Sequence, residues 1–211
     1  MSRPISTKQR MIKAAFALFH ERGVHGTSVD AVLARSRTGK GQFSHYFKTK
    51  EGLVQAVLEH FYEELRRGTY DPVAAIRSWG DLERWMRSFY EWQQTVECAL
   101  ACPIGTIGGD LSKAQETLRA EIRRIFDWRR AFIAGFFNAQ QAAGKMRRDF
   151  PPEALADFCY TITQGGLYMA KAERDSRPFE HALNVALATL RSMRIPARKA
   201  RTRSSVPRRV L

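Results

Sequence analysis

Residues 38–47 read Thr38-Gly39-Lys40-Gly41-Gln42-Phe43-Ser44-His45-Tyr46-Phe47. Phe43 and Phe47 stand four apart, one helical turn, so both fall on one face and can bury against neighbouring helices. Gly39 and Gly41 leave room for a close backbone approach to a sugar-phosphate chain. Lys40, Gln42, Ser44, His45 and Tyr46 are left facing outward. A helix this short, with so little to bury, does not hold itself together in water, so its polar set points to an external partner. Gln42 suits paired hydrogen bonds to adenine, and Lys40 and His45 suit guanine or phosphate.

The segments around it complete a motif. Upstream, Ser6 or Thr7 can cap a first helix in which Ile12, Ala15, Phe16 and Phe19 repeat at i, i+3, i+4, i+7, and Gly23 supplies a stop. Phe16, Phe19, Phe43 and Phe47 all read as core. Ser28 can cap a second, short helix carrying Val29, Val32 and Leu33, which Arg35-Ser36-Arg37-Thr38-Gly39 interrupts. Thr38 can cap the third, from about 39 to 46. Two short helices joined by a tight turn, with a third packed across them, make a helix-turn-helix whose second helix enters the major groove of duplex DNA. A fourth helix from near Lys50 carries Leu53, Val54, Val57, Leu58, Phe61 and Leu65, until Gly68 and Pro72 break it.

The remainder is helical in period, with no sustained alternation of two and no repeats. Leu82, Trp85, Met86 and Phe89 open a helix that could run to about Leu100, and the proline and glycines of residues 102–109 read as a bend that ends it. Further helices follow at about 113–143, 152–173 and 179–193, for about nine in all. The expected architecture is all-α: a helix-turn-helix domain at 1–50, a larger helical domain at 51–195 and a basic disordered tail at 196–211.

Residues 27–53 also resemble a known family. Thr27-Ser28-Val29-Asp30, then Lys40-Gly41, then His45-Tyr46-Phe47-Lys48-Thr49-Lys50-Glu51-Gly52-Leu53 look like the DNA-binding signature of the TetR family of transcription regulators in order and spacing. Two positions depart from the common pattern: Arg37, where a turn glycine is frequent, and Ser44, where tyrosine is frequent. The resemblance implies that Thr27, Lys40, Tyr46 and Lys50 meet phosphate and that Gln42, Ser44 and His45 face the groove. With Thr38 these are the expected DNA-binding residues. It further implies a homodimer on a near-palindromic operator. The last two helices would pair with the partner's in a four-helix bundle, with Leu155, Phe158, Ile162, Gly166, Met169, Leu183, Leu187 and Leu190 as candidates. The competing reading is that these residues fill the protomer's own core. Specific resemblance spans residues 7–60. The Cys102-Pro103-Ile104-Gly105 segment followed by Asp110-Leu111 resembles a branch of the family with a Cys-Pro-hydrophobic-Gly turn.

Charge follows the same division. The net +14 splits into +8 over residues 1–50, zero over 51–195 and +6 over 196–211. A basic head and tail on a neutral body suit two phosphate-seeking ends, because lysine and arginine gain affinity by releasing condensed counterions; for the tail, solubility alone is an equal reading. The aromatic-rich body is expected to line a largely apolar cavity for a small-molecule effector that releases the protein from DNA. Phe89, Cys102, Phe132, Phe136, Gln164 and Tyr168 are the candidates, although most aromatics at helical spacing are core. Cys102 reads either as an ordinary buried side chain or as a reactive thiol. The three cysteines offer neither a disulfide framework nor a zinc spacing, so no metal or cofactor is expected. A cytoplasmic protein with no membrane partner is expected, since no apolar run spans a bilayer and residues 1–10 are polar. Two other function classes compete. An enzyme lacks any phosphate loop, nucleophile elbow or metal motif here. A sequence-independent architectural DNA binder would need no aromatic-rich neutral body.

Overall fold

The computed structural model describes residues 5–69 and 76–196, in which nine helices and no strands are found. The expected tail at 196–211 lies outside the described residues apart from Pro196. Helix α1 (Thr7–Arg22) is capped by Ser6, whose Oγ accepts the Gln9 N–H at 3.2 Å while Gln9 Oε1 accepts the Ser6 N–H. It ends at Gly23, where φ of 74° requires the freedom of glycine. Helix α2 (Val29–Ser36) is capped by Ser28 and ends on Arg37 in the left-handed region, φ 55° and ψ 55°. That conformation accounts for the glycine frequent at this position.

Helix α3 (Lys40–Tyr46) corrects one detail: its cap is Gly39, not Thr38. The Thr38 hydroxyl pairs instead with Ser36 Oγ at 2.6 Å, and Gln42 Oε1 takes the Gly39 N–H at 3.2 Å. Helix α4 (Lys50–Arg66) follows, its first turn closed by Thr49.

Helix α5 (Trp79–Thr95) stops five residues short of the expected end. Glu97 and Cys98 turn at positive φ, and the buried Gln93 amide donates to Leu100 O at 2.9 Å, which holds the turn. The segment expected to be a bend is helix α6 (Pro103–Gly109). Proline at the first helical position gives up no intrahelical bond, Cys102 Sγ accepts the Gly105 N–H, and Ile104 and Ile107 bury fully at i, i+3. Helices α7 (Glu116–Ala142), α8 (Pro152–Glu173) and α9 (Arg177–Ser192) match the expected order.

Two hydrophobic cores result. The first joins α1 to α4 with Ile104, Ile107, Leu118, Ile122 and Ile125, so packing runs unbroken across residue 50. The second gathers Leu82, Trp85 and Met86 with the later half of α7, α8 and α9. Cys102 and Phe126 pack against both, which marks the seam between them.

Candidate functional site

Two features stand out: a polar face on α3 and a cavity in the seam. On α3, Phe43 and Phe47 are buried with ring centroids 5.7 Å apart, which fixes the helix against the first core. Lys40, Gln42, Ser44, His45 and Tyr46 are exposed, with Thr38 half-buried at the entry and Lys50 half-buried at the start of α4. The Lys40 ammonium lies 3.4 Å from Asp30, but both groups are largely exposed, so the pair is weak and available to exchange. Thr27 does not reach this face. It is 1% exposed, and its hydroxyl donates to Gly23 O at 2.8 Å and Leu18 O at 3.3 Å, which closes the loop between α1 and α2.

The cavity measures about 380 Å³ and is lined from α1, α4, α5, α6, α7 and α8. Rings dominate the wall: Phe16, Phe61, Phe89, Trp92, Phe126 and Tyr160. Its polar groups are His20, Ser88, Cys102, Arg129 and Gln164. His20 lies 2.7 Å from Ala101 O through Nε2, so that nitrogen carries the proton, and its ring stacks on Trp92. Burial holds the His20 pKa below the usual imidazole range, outweighing the opposing bond to Ala101. Burial likewise pushes the Cys102 thiol up, against the Gly105 N–H and the nearby Arg129 charge, so the thiol stays protonated at neutral pH. That favours an unreactive thiol, although Cys102 is half-buried in the cavity wall, not sealed in a core. Cys159, sealed in the second core, is pushed up to about 12 by burial.

Of the six expected ligand-lining residues, Phe89, Cys102 and Gln164 line the cavity. Phe136 continues the face of Arg129 two turns further along α7, where it is buried against Trp79. Phe132 meets Trp128 edge to face and is 38% exposed, and Tyr168 stands outward on α8 at 67% exposed. The unforeseen lining residues include Phe16, which was assigned to core, and His20 one turn after it. The signals were present. Phe16 and His20, one turn apart, lie along the edge of the buried stripe of α1, and Arg129 follows Ile125 and Phe126 at i+4 and i+3 on an otherwise apolar face.

The residues expected between two subunits divide similarly. Leu155, Gly166, Leu183, Leu187 and Leu190 are buried within the protomer, which corrects their assignment to an intersubunit surface. A Cβ on Gly166 would come 2.0 Å from the Phe179 ring, so this glycine serves the contact of α8 with α9 in one chain. Ile162 is half-buried, whereas Phe158, Tyr168, Met169 and Val185 are exposed apolar side chains on α8 and α9.

The head and the cavity are physically joined. Phe16 and His20 belong to α1, the helix that carries the first core. Ala101, just ahead of α6, holds His20, and Asp110, just after α6, accepts the N–H groups of Val24 at 2.6 Å and His25 at 3.1 Å. Among the described residues, no group of three or more His, Cys, Asp or Glu side chains is placed to hold a metal ion, and no helix is long and apolar enough to cross a membrane.

Comparison with known proteins bears on both halves. The family model for bacterial regulatory proteins of the tetR family matches residues 11–57, and that for the tetracyclin repressor-like C-terminal domain matches residues 80–186. The HTH-type transcriptional repressor DhaR of Mycobacterium sp. is 30% identical over 184 residues, covering 87% of this chain and 91% of that protein. The transcriptional regulator AcuR of Cereibacter sphaeroides is 26% identical over 174 residues, covering 78% and 76%. In fold, the crystal structure of regulatory protein TetR from Rhodobacter sphaeroides superposes with a TM-score of 0.72 at 24% identity, covering 86% of this chain and 97% of that one.

Proposed function

Because this chain belongs to the TetR family of DNA-binding, non-enzymatic transcription regulators, we propose that it is a repressor that grips a near-palindromic operator as a homodimer and lets go when a small molecule fills the seam cavity. The observation that carries this reading is the shared wall: α1 contributes Phe16 and His20 to the cavity, so its occupancy bears directly on the DNA-reading head.

On this reading, α3 enters the major groove. Gln42, Ser44 and His45 meet base edges, while Lys40, Tyr46, Lys50 and Thr38 hold phosphates and fix the register. One short helix makes too few contacts for tight binding, so two heads are needed about one helical turn or a multiple apart. The exposed Phe158, Tyr168, Met169 and Val185 on α8 and α9 supply the apolar surface for pairing with a second copy. Ligand and operator then compete through two head orientations, and release is as strong as the ligand's preference for the orientation that does not fit DNA.

The test is binding of the purified protein to DNA from upstream of its own gene, against scrambled DNA at physiological salt. Selective binding that Lys40→Ala and Tyr46→Ala weaken supports the reading. Equal binding to both DNAs, together with no enriched sequence in selection from random DNA, overturns it in favour of an architectural role.

A further inference from the structure

The backbone is strained on either side of α3. Arg37, in the turn before the helix, has φ 55°, and Lys48, just after it, has φ 63°. Among the described residues of α1 to α4 these are the non-glycine positions at positive φ, a region that side chains enter at a cost in stability. Both are cations and both are exposed. Neither side chain makes an ion pair or hydrogen bond with another described residue. The two acids of residues 1–50 are already engaged, Glu21 with Arg35 at 2.9 Å and Asp30 with Lys40 at 3.4 Å. Strain held at two exposed cations that have no partner among these residues points to a partner outside the chain.

Helix α3 is seven residues long, about 10 Å of helix. The major groove is about 12 Å wide and is bordered by the two phosphate backbones. A helix of that length seated in it brings both its ends close to the strands, within reach of an extended arginine or lysine side chain. The planar guanidinium of Arg37 suits two phosphate oxygens at once, and the Lys48 ammonium meets one as a point charge. Resting on the reading of α3 as the helix that enters the groove, we propose that Arg37 and Lys48 each hold a DNA backbone phosphate, clamping α3 from its two ends, so that the stability lost in their left-handed backbones is offset by operator affinity. A structural role for the same charges makes a different forecast. Arg37 closes the C-terminal end of α2 and Lys48 follows that of α3, where a cation complements the helix dipole. That role acts on stability and leaves the salt dependence of DNA binding alone.

The test is binding of the full-length protein, over a range of salt concentrations, to the duplex selected from random DNA and to a scrambled duplex. Arg37→Gln and Lys48→Gln should each lower the slope of log affinity against log salt by about one per head and weaken binding roughly fivefold per lost contact at physiological salt. Both duplexes should lose by the same factor, because a phosphate contact carries no sequence information. Arg37→Lys and Lys48→Arg should keep the slope. Arg37→Gly and Lys48→Gly should raise Tm and still weaken binding, which separates lost contact from lost folding. Arg174→Gly relieves a left-handed arginine at the end of α8 and should raise Tm with DNA binding unchanged. An unchanged slope in either glutamine variant, with selective binding intact, overturns the clamp and leaves the reading of α3 standing. A loss confined to the selected duplex overturns it in favour of base contact. If the unaltered protein binds both duplexes equally, the reading of α3 falls, and the inference with it.

Discussion

Asp110 offers the sharpest test of how head and body are joined. Its carboxylate accepts two backbone N–H groups, from Val24 at 2.6 Å and His25 at 3.1 Å, across 86 and 85 residues of chain. Val24 is buried and His25 exposed. In Asp110→Ala the Val24 amide is left without a partner, whereas the His25 amide regains water. Losing the two charge-assisted bonds, with one orphaned donor, costs about 2–4 kcal/mol. For a chain of this size that lowers Tm by roughly 5–15 °C. Asp110→Asn keeps an acceptor oxygen and should lose about half as much. Gly23 supplies an internal check, because a Cβ there would stand 2.5 Å from Asp110 Oδ2 at a φ of 74°. Gly23→Ala therefore suffers both backbone strain of about 1–3 kcal/mol, since φ 74° with ψ 172° is open essentially to glycine alone, and crowding of about 1–3 kcal/mol. In the Asp110→Ala background only the strain should remain, so the two changes are coupled by about 1–3 kcal/mol in a double-mutant cycle. Urea melts of the four proteins, with hydrogen exchange at the Val24 amide, read out both quantities. A loss below about 0.5 kcal/mol for Asp110→Ala, or strict additivity with Gly23→Ala, refutes the reasoning.

Gly166→Ala drives a methyl into the Phe179 ring and should destabilise the fold by about 1–3 kcal/mol, against which Gly165→Ala, where a Cβ meets nothing within 4 Å, is the control in a thermal melt. Arg37→Gly removes a left-handed side-chain penalty of about 1 kcal/mol and should raise Tm, with the effect on operator affinity read separately. Because burial depresses the His20 pKa, the unfolded chain takes up this proton more readily than the folded one, so His20 makes stability fall as pH drops below about 6.5. In His20→Gln, urea midpoints between pH 7.5 and 5.5 should vary less steeply than in the unaltered protein, and an equal slope would remove His20 from the account. With burial holding the Cys102 thiol protonated, iodoacetamide should label Cys102 at pH 7 far more slowly in native than in urea-unfolded protein, and equally fast labelling would revive its reading as a reactive sensor.

The α3 face was legible because its information is local: Phe43 and Phe47 one turn apart aim the helix, and the outward set follows. Thr27 was not, because what decides its role is a pair of backbone carbonyls, at Leu18 and Gly23, that only the folded loop presents. Helix α6 was concealed by composition. Gly105, Gly108 and Gly109 after a proline suggest a bend, but Pro103 at the first helical position and Ile104 with Ile107 at i, i+3 decide otherwise. For α8 and α9 the apolar positions were found but their destination was not. Leu155 or Leu187 facing its own core gives the same periodicity as one facing a second subunit, and only the packing of α5 and α7 against them resolves it. The cavity was hardest to read, because its wall takes single turns from six helices.

Magnitudes constrain how such a cavity could act on DNA. The bond from His20 to Ala101 is worth about 1 kcal/mol net, so a ligand that displaced only His20 would change operator affinity about fivefold per head and, in the proposed dimer, about thirtyfold. Asp110 holds α1 with about 2–4 kcal/mol more. A ligand confined to the aromatic side of the cavity has access to the first tie alone. One seated against Cys102, Pro103 and Ile104 presses on the first turn of α6, the element whose two flanks carry both ties, Ala101 ahead and Asp110 behind. A displacement of α6 as a rigid unit loads both at once, which reaches the several kcal/mol that moving a regulator from mostly bound to mostly released demands. On the proposed function, contact with the first turn of α6, more than the size of the cavity, is what would let an effector switch the head, and by reciprocity the operator would weaken that ligand by the same factor.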